Sequence, residues 1–93
     1  MAYVIVNEYE GGTREQYDAT VAVVHPPDGL PAGQSHHYAG PSAGGWVVIA
    51  VWDSKEAWER FRDEVLLPGL QSVEGGLPAP PRSAEFDAEI DLP

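Results

Sequence analysis

Trp46-Val47-Val48-Ile49-Ala50-Val51-Trp52 is apolar at every position. Successive side chains of a strand point to opposite faces, so a strand of this composition leaves neither face of its sheet in water. Only two helices are predicted elsewhere in the chain, enough to cover one face of a small sheet. The natural cover for the other face is a second copy of the chain. The stretch therefore predicts a homodimer joined through a sheet face before it says anything about chemistry.

Upstream of this strand, Gln34 to Ala39 reads as a shorter strand, joined to it by the hairpin Gly40-Pro41-Ser42-Ala43-Gly44-Gly45. Pairing Ala39 with Trp46 puts His37 on one face with Trp46, Val48, Ala50 and Trp52. His36 and Tyr38 then share the other face with Val47, Ile49 and Val51. Downstream, Asp53-Ser54-Lys55-Glu56 has capping spacing, with Asp53 as N-cap and Glu56 at N3. The helix it starts turns Ala57, Trp58, Phe61 and Val65 inward, and Pro68-Gly69 ends or kinks it.

At the start of the chain, Tyr3 to Tyr9 is a strand rich in Val, Ile and Tyr, ended by Gly11-Gly12. Thr13-Arg14-Glu15-Gln16 fits a capping box. Tyr17, Val21 and Val24 then form one apolar stripe on a helix that stops at His25-Pro26-Pro27. Pro26 to Gly33 is a Pro/Gly loop of the kind that often borders a functional opening. After a Pro/Gly connector from Gly75 to Pro81, Glu85 to Leu92 alternates carboxylate and apolar side chains, as in an edge strand with one wet face. The order β-α-β-β-α-β defines an α+β, ferredoxin-like domain over residues 1–93. It has a four-stranded antiparallel sheet, both helices on one face, and the first and third strands central.

The 93 residues carry 15 Asp plus Glu against 5 Lys plus Arg, a formal charge of −10. Three of the cations, Lys55, Arg60 and Arg62, sit on one helix among carboxylates, so no basic face remains for nucleic acid or an anionic membrane. The absence of cysteine excludes disulfides, thiolate metal sites and a Cys nucleophile. The first residues have neither a basic flank nor a cleavage-type run, and no apolar stretch approaches a membrane span of roughly 20 residues. The expectation is a cytoplasmic protein.

With the element order in place, the chain resembles the dimeric α+β barrel superfamily and, within it, small proteins related to antibiotic-biosynthesis monooxygenases. The resemblance is carried by Gly11-Gly12-Thr13, His25-Pro26-Pro27-Asp28-Gly29-Leu30-Pro31, His37-Tyr38-Ala39-Gly40-Pro41, and Val51-Trp52-Asp53-Ser54-Lys55-Glu56-Ala57-Trp58. It implies two sheets packed back to back, with a small-molecule pocket between sheet and helices in each subunit. Members include cofactor-free oxygenases, haem degraders, cyclases, isomerases and proteins without known activity, among which fold alone does not choose. The oxygenases use Asn, Trp and Tyr in the pocket, a set that Asn7, Trp52 and Tyr17 would supply. Haem degraders carry an axial histidine on the second helix, and between Lys55 and Leu70 there is none, so no cofactor is expected.

His37 is either the candidate base or a strand histidine whose ring nitrogen bonds a neighbour and packs. Inside an apolar cavity, desolvation keeps an imidazole neutral and able to take a proton from a phenolic or carbon acid. His25, at the end of the first helix, is either a second catalytic group or a cap favoured by the macrodipole. Asn7 interrupts a central strand and must find partners, as a ligand contact or a structural bridge. Trp46 and Trp52 flank Ala50 and offer aromatic walls for a flat hydrophobic ligand; Tyr17 faces the same space. The three histidines lack chelating spacing, so no metal is expected. The leading expectation is a cofactor-independent monooxygenase or cyclase acting on an aromatic or polyketide-like molecule. The alternatives are a non-enzymatic ligand-binding protein, and an assembly protein whose pocket is filled by Trp52, Trp58 and Phe61.

Overall fold

A computed structural model describes residues 2–78 and 80–92; Ala79, in the predicted connector, lies outside them, as do Met1 and Pro93. The elements follow the predicted order: β1 (Tyr3–Glu10), α1 (Arg14–Val24), β2 (Gln34–Ser42), β3 (Gly45–Trp52), α2 (Lys55–Phe61), a π-helical segment (Arg62–Leu66), α3 (Leu67–Ser72) and β4 (Arg82–Asp87). The sheet is antiparallel with spatial order β2-β3-β1-β4. The two most apolar strands are central, and the acidic one is at an edge.

β1 alternates between buried Tyr3, Ile5, Asn7 and Tyr9 and half-buried Val4, Val6 and Glu8. The buried row meets the helices, joined by Trp46, Ala50 and Trp52 from β3. Trp58 from α2 packs onto Ile5 and Trp52, and Ala57, Phe61 and Leu66 close around them. Tyr9, Trp46 and Leu77 form a second cluster nearer the hairpin.

Four local expectations need correction. β2 runs on to Ser42, so the hairpin loop is only Ala43-Gly44 and Pro41, not Ala39, lies opposite Trp46. This slip is two residues, which preserves the side-chain parity, and His37 still faces the helices opposite Ala50. The second helix is capped by Ser54, whose hydroxyl accepts from the Ala57 amide, and not by Asp53. β4 ends at Asp87 rather than Leu92.

The fourth concerns Pro68. It neither ends nor sharply breaks the helix, because the backbone widens first: the Leu67 amide bonds to the Arg62 carbonyl, five residues back. Proline has no amide to give and its ring crowds the carbonyl four residues before it, and a π turn relieves both conflicts. The extra residue rotates everything beyond Phe61, so Leu66 reaches the core while Val65 is 38 % exposed. By contrast the Thr13 capping box forms as expected, with the Gln16 amide on the Thr13 hydroxyl and the Thr13 amide on Gln16 Oε1.

Candidate functional site

The site lies between the sheet and the two helical rods. Its floor is Ile5 and Asn7 of β1, Val48, Ala50 and Trp52 of β3, and Gln34 and His37 of β2; α1 contributes Tyr17, Thr20, Val21 and Val24, and α2 with its π extension contributes Trp58, Phe61 and Leu66. The free volume between these walls is about 50 Å³. That is room for one or two water molecules at about 30 Å³ each, against roughly 300–1,000 Å³ for sites that hold drug-sized ligands. Trp52, Trp58 and Phe61 take up much of the space, with ring centroids 5.0 to 6.4 Å apart. Any flat ligand must displace aromatic wall.

Polar groups concentrate at the β2 side. Tyr17 Oη and His37 Nε2 are 2.6 Å apart, and His37 Nδ1 lies 2.8 Å from Gln34 Oε1. The His25 ring stands edge-on to His37 with centroids 5.0 Å apart. Burial lowers the pKa of both histidines, and for His37 the neighbouring His25 lowers it further. Burial raises that of Tyr17. The cluster is thus held uncharged near neutrality: two imidazoles and a phenol. His25 is the C-terminal cap residue of α1 and also lines the cavity.

Trp52 is 1 % exposed, and its indole N–H has no hydrogen-bond partner among the described residues. Trp52 lines the cavity, and buried donors almost always find an acceptor; Trp46 Nε1 is likewise buried without one among the described residues. Asn7 is buried and accepts a hydrogen bond from Ser83 Oγ, so it bridges β1 to β4 while also lining the cavity. Trp46 is the one sequence candidate outside the cavity wall. It packs on Tyr17 at 5.4 Å and buttresses the phenol from behind. His36 faces away from the site and is exposed.

Sequence reasoning missed Gln34 and Glu85. Gln34 and His37 are three residues apart, which strict alternation would place on opposite faces; a bulge between Gln34 and His36 brings them onto the same one. Glu85 shares the helix-side face with Ile5, where it accepts from Tyr3 Oη at 2.7 Å and Trp58 Nε1 at 3.3 Å. That hydrogen bond to a carboxylate pushes the Tyr3 pKa up to about 12. Glu85 is exposed, as a wet strand face requires, and in addition accepts from these two donors. Among the described residues no three His, Cys, Asp or Glu side chains converge as a metal site, and no helix is long and apolar enough to cross a membrane.

A ferredoxin-like α+β domain with a polar-edged cavity under its helices is the class these features define. Its framework is similar to that of antibiotic-biosynthesis-monooxygenase-like structures. SnoaB, a cofactor-independent oxygenase from Streptomyces nogalater solved as an Asn-to-Ala mutant, superposes with a TM-score of 0.62 at 18% identity, covering 99% of this chain and 96% of that one. A provisionally assigned antibiotic biosynthesis monooxygenase from Chloroflexus aurantiacus J-10-fl gives a TM-score of 0.58 at 17% identity, covering 100% and 98%. No family model matches the sequence, and no curated protein does. The chain therefore shares the fold of these proteins, as the sequence resemblance implied, and the likeness extends over essentially its whole length.

Proposed function

We propose that this protein binds a small hydroxylated aromatic molecule between sheet and helices and acts on it as a cofactor-independent monooxygenase, with His37 as the group that receives the proton. One observation carries the reading: a part-buried phenol–imidazole–amide chain lines the same cavity as Trp52, whose indole N–H is buried and has no partner among the described residues. A neutral imidazole is the form that accepts a proton, and burial keeps His37 in it. Removing a phenolic proton makes the ring electron-rich, the state in which it reacts with O₂ without a cofactor. The Trp52 N–H is suited to the resulting oxygen charge, and Asn7, Tyr17 and His25 complete the wall. SnoaB is a cofactor-independent oxygenase, which supports the reaction class by fold alone.

The reading is tested by titrating the protein with phenol, 1-naphthol and a hydroxyanthraquinone while following the Trp52 indole N–H by NMR, then analysing aerobic products. Binding that moves this resonance, with turnover abolished in His37→Ala, is expected. Full turnover in His37→Ala removes the histidine from the chemistry. The small free volume favours a second reading, a non-enzymatic protein of the same fold, and that reading stands if none of the three compounds perturbs Trp52.

The functional unit is a homodimer joined through the helix-free face. Val4, Val6, Val47, Ile49 and Val51 form that face, with Tyr38 61 % and Phe86 51 % exposed beside them. The edge strand adds an argument of its own: β4 turns Ala84 and Phe86 toward the helix-free side and Glu85 and Asp87 toward the helices. A monomer has no reason to point its apolar side chains at the bare face. Sedimentation at micromolar concentration should give twice the monomer mass of 10.0 kDa, and a monomer would refute the arrangement.

A further inference from the structure

We propose that Gln34 is a positioning residue that fixes the tautomer of His37, so that the basic nitrogen is Nε2 and Tyr17 is the group that meets the ligand. An amide oxygen only accepts, so the 2.8 Å contact from His37 Nδ1 to Gln34 Oε1 requires the proton on Nδ1. Nε2 then carries the lone pair, and the Tyr17 hydroxyl at 2.6 Å donates into it. This assignment is the one in which both the phenol and the imidazole donate to an acceptor. With the amide reversed, Nε2–H would donate to Tyr17, and the phenolic proton would have no acceptor among the described residues. That loss would fall on a half-buried phenol.

The arrangement places the phenol between ligand and histidine. A ligand O–H passes its proton to Tyr17 Oη as the Tyr17 proton moves to His37 Nε2. The products are a ligand oxyanion, a neutral tyrosine and an imidazolium whose Nδ1–H stays on Gln34 Oε1. No bond to carbon changes and no electron leaves in this step. Trp46 behind the Tyr17 ring and the edge of His25 against His37 hold both partners in line. The histidine thus acts through Tyr17, and the identity of its basic nitrogen depends on a β2 bulge that brings Gln34 around to the same face. Second-sphere hydrogen bonds select imidazole tautomers in this way at metal sites and in catalytic triads, with the same geometric logic.

This deepens the proposed function but is measured without any ligand. The side-chain ¹⁵N resonances of His37 in the free protein report which nitrogen carries the proton. Wild type should show protonated Nδ1 and bare Nε2. Gln34→Leu should move the population predominantly to Nε2–H, the form imidazole prefers in water, while Gln34→Glu, again an acceptor, should restore Nδ1–H. A protein in which Gln34 only fills space would keep one tautomer in all three. Nε2–H in wild type overturns the proposal outright, and that measurement needs no variant to fold. Unchanged Nδ1–H in a folded Gln34→Leu overturns it as well. Failure of phenol to bind would sink the pocket reading instead, and the tautomer result would be unaffected by it.

Discussion

Replacing Trp52 with Phe removes one ring of a side chain that is 1 % exposed, a change that ordinarily weakens a core. The opened space is about 40 Å³, costing about 1 kcal/mol at roughly 24 cal/mol per Å³, with about another 1 kcal/mol for lost apolar contact. Against this, the substitution deletes a buried N–H without a partner, which relieves about 1–3 kcal/mol of desolvation. The two effects offset, and Trp52→Phe should unfold within about 1 kcal/mol of wild type. Trp58 is the internal control, because it stacks on Trp52 at 5.9 Å and is 5 % exposed, but its N–H reaches Glu85. Trp58→Phe pays the same cavity cost and also loses a hydrogen bond, about 2–3 kcal/mol in all. The predicted gap between the variants is about 2 kcal/mol, roughly thirtyfold in the folding constant. Urea denaturation followed by circular dichroism, at one fixed protein concentration, reads it as a difference in midpoint. If Trp52→Phe loses as much as Trp58→Phe, the Trp52 N–H is not an orphan and its role as a ligand donor falls. The reasoning also requires Trp52→Phe to bind 1-naphthol more weakly while remaining folded.

Two further outcomes follow from the structure. His25 and His37 both have pKa values below the unfolded 6.5, so in acid the unfolded chain binds protons that the folded one refuses. Stability is then retained above pH 6.5 and falls as the pH drops from there toward the lowered folded values. Thermal melts from pH 8 to pH 5 should show this loss, and a His25→Gln/His37→Gln protein should show a flatter slope; an equal slope would refute the assignment. Gly45→Ala should cost about 3 kcal/mol in chemical denaturation, because a Cβ there would stand 2.2 Å from the Tyr9 carbonyl oxygen and 2.6 Å from the Gly11 amide nitrogen, backbone that cannot rotate aside. A loss under about 1 kcal/mol would mean that the hairpin end yields more easily than this packing allows.

Much of this was legible in the sequence because it depends on period. A two-residue repeat survives an error of two, so the face of His37 was readable even though its hairpin register was not. The Thr13 capping box has a signature in residue types, whereas Asp53 and Ser54 are both good caps and only packing chooses between them. Gln34 and Leu66 were hidden for one physical reason. Each is turned to an unexpected face by an extra residue, the β2 bulge just after Gln34 or the π turn that holds Leu66, and neither irregularity has a propensity of its own. The β4 pattern gave alternation but not direction, and Glu85 turned out to serve Tyr3 and Trp58. The ligand itself leaves no trace in the chain, since the rings that would line a filled pocket are the rings that close an empty one.

The π segment makes the shape of the cavity a matter of residue count. Downstream of it, Gly69 is pressed so closely on Val24 that an added Cβ would lie 2.5 Å from Val24 Cγ1, and Val24 is itself a wall of the site. Deleting one residue from 62–66 would return the backbone to α geometry and turn Leu66, Pro68 and Gly69 by about 100° together. One wall would lose its closing leucine, and the helices would lose the notch that lets them touch. Length polymorphism in this single turn is therefore a means of resizing the chamber without altering any side chain that faces it.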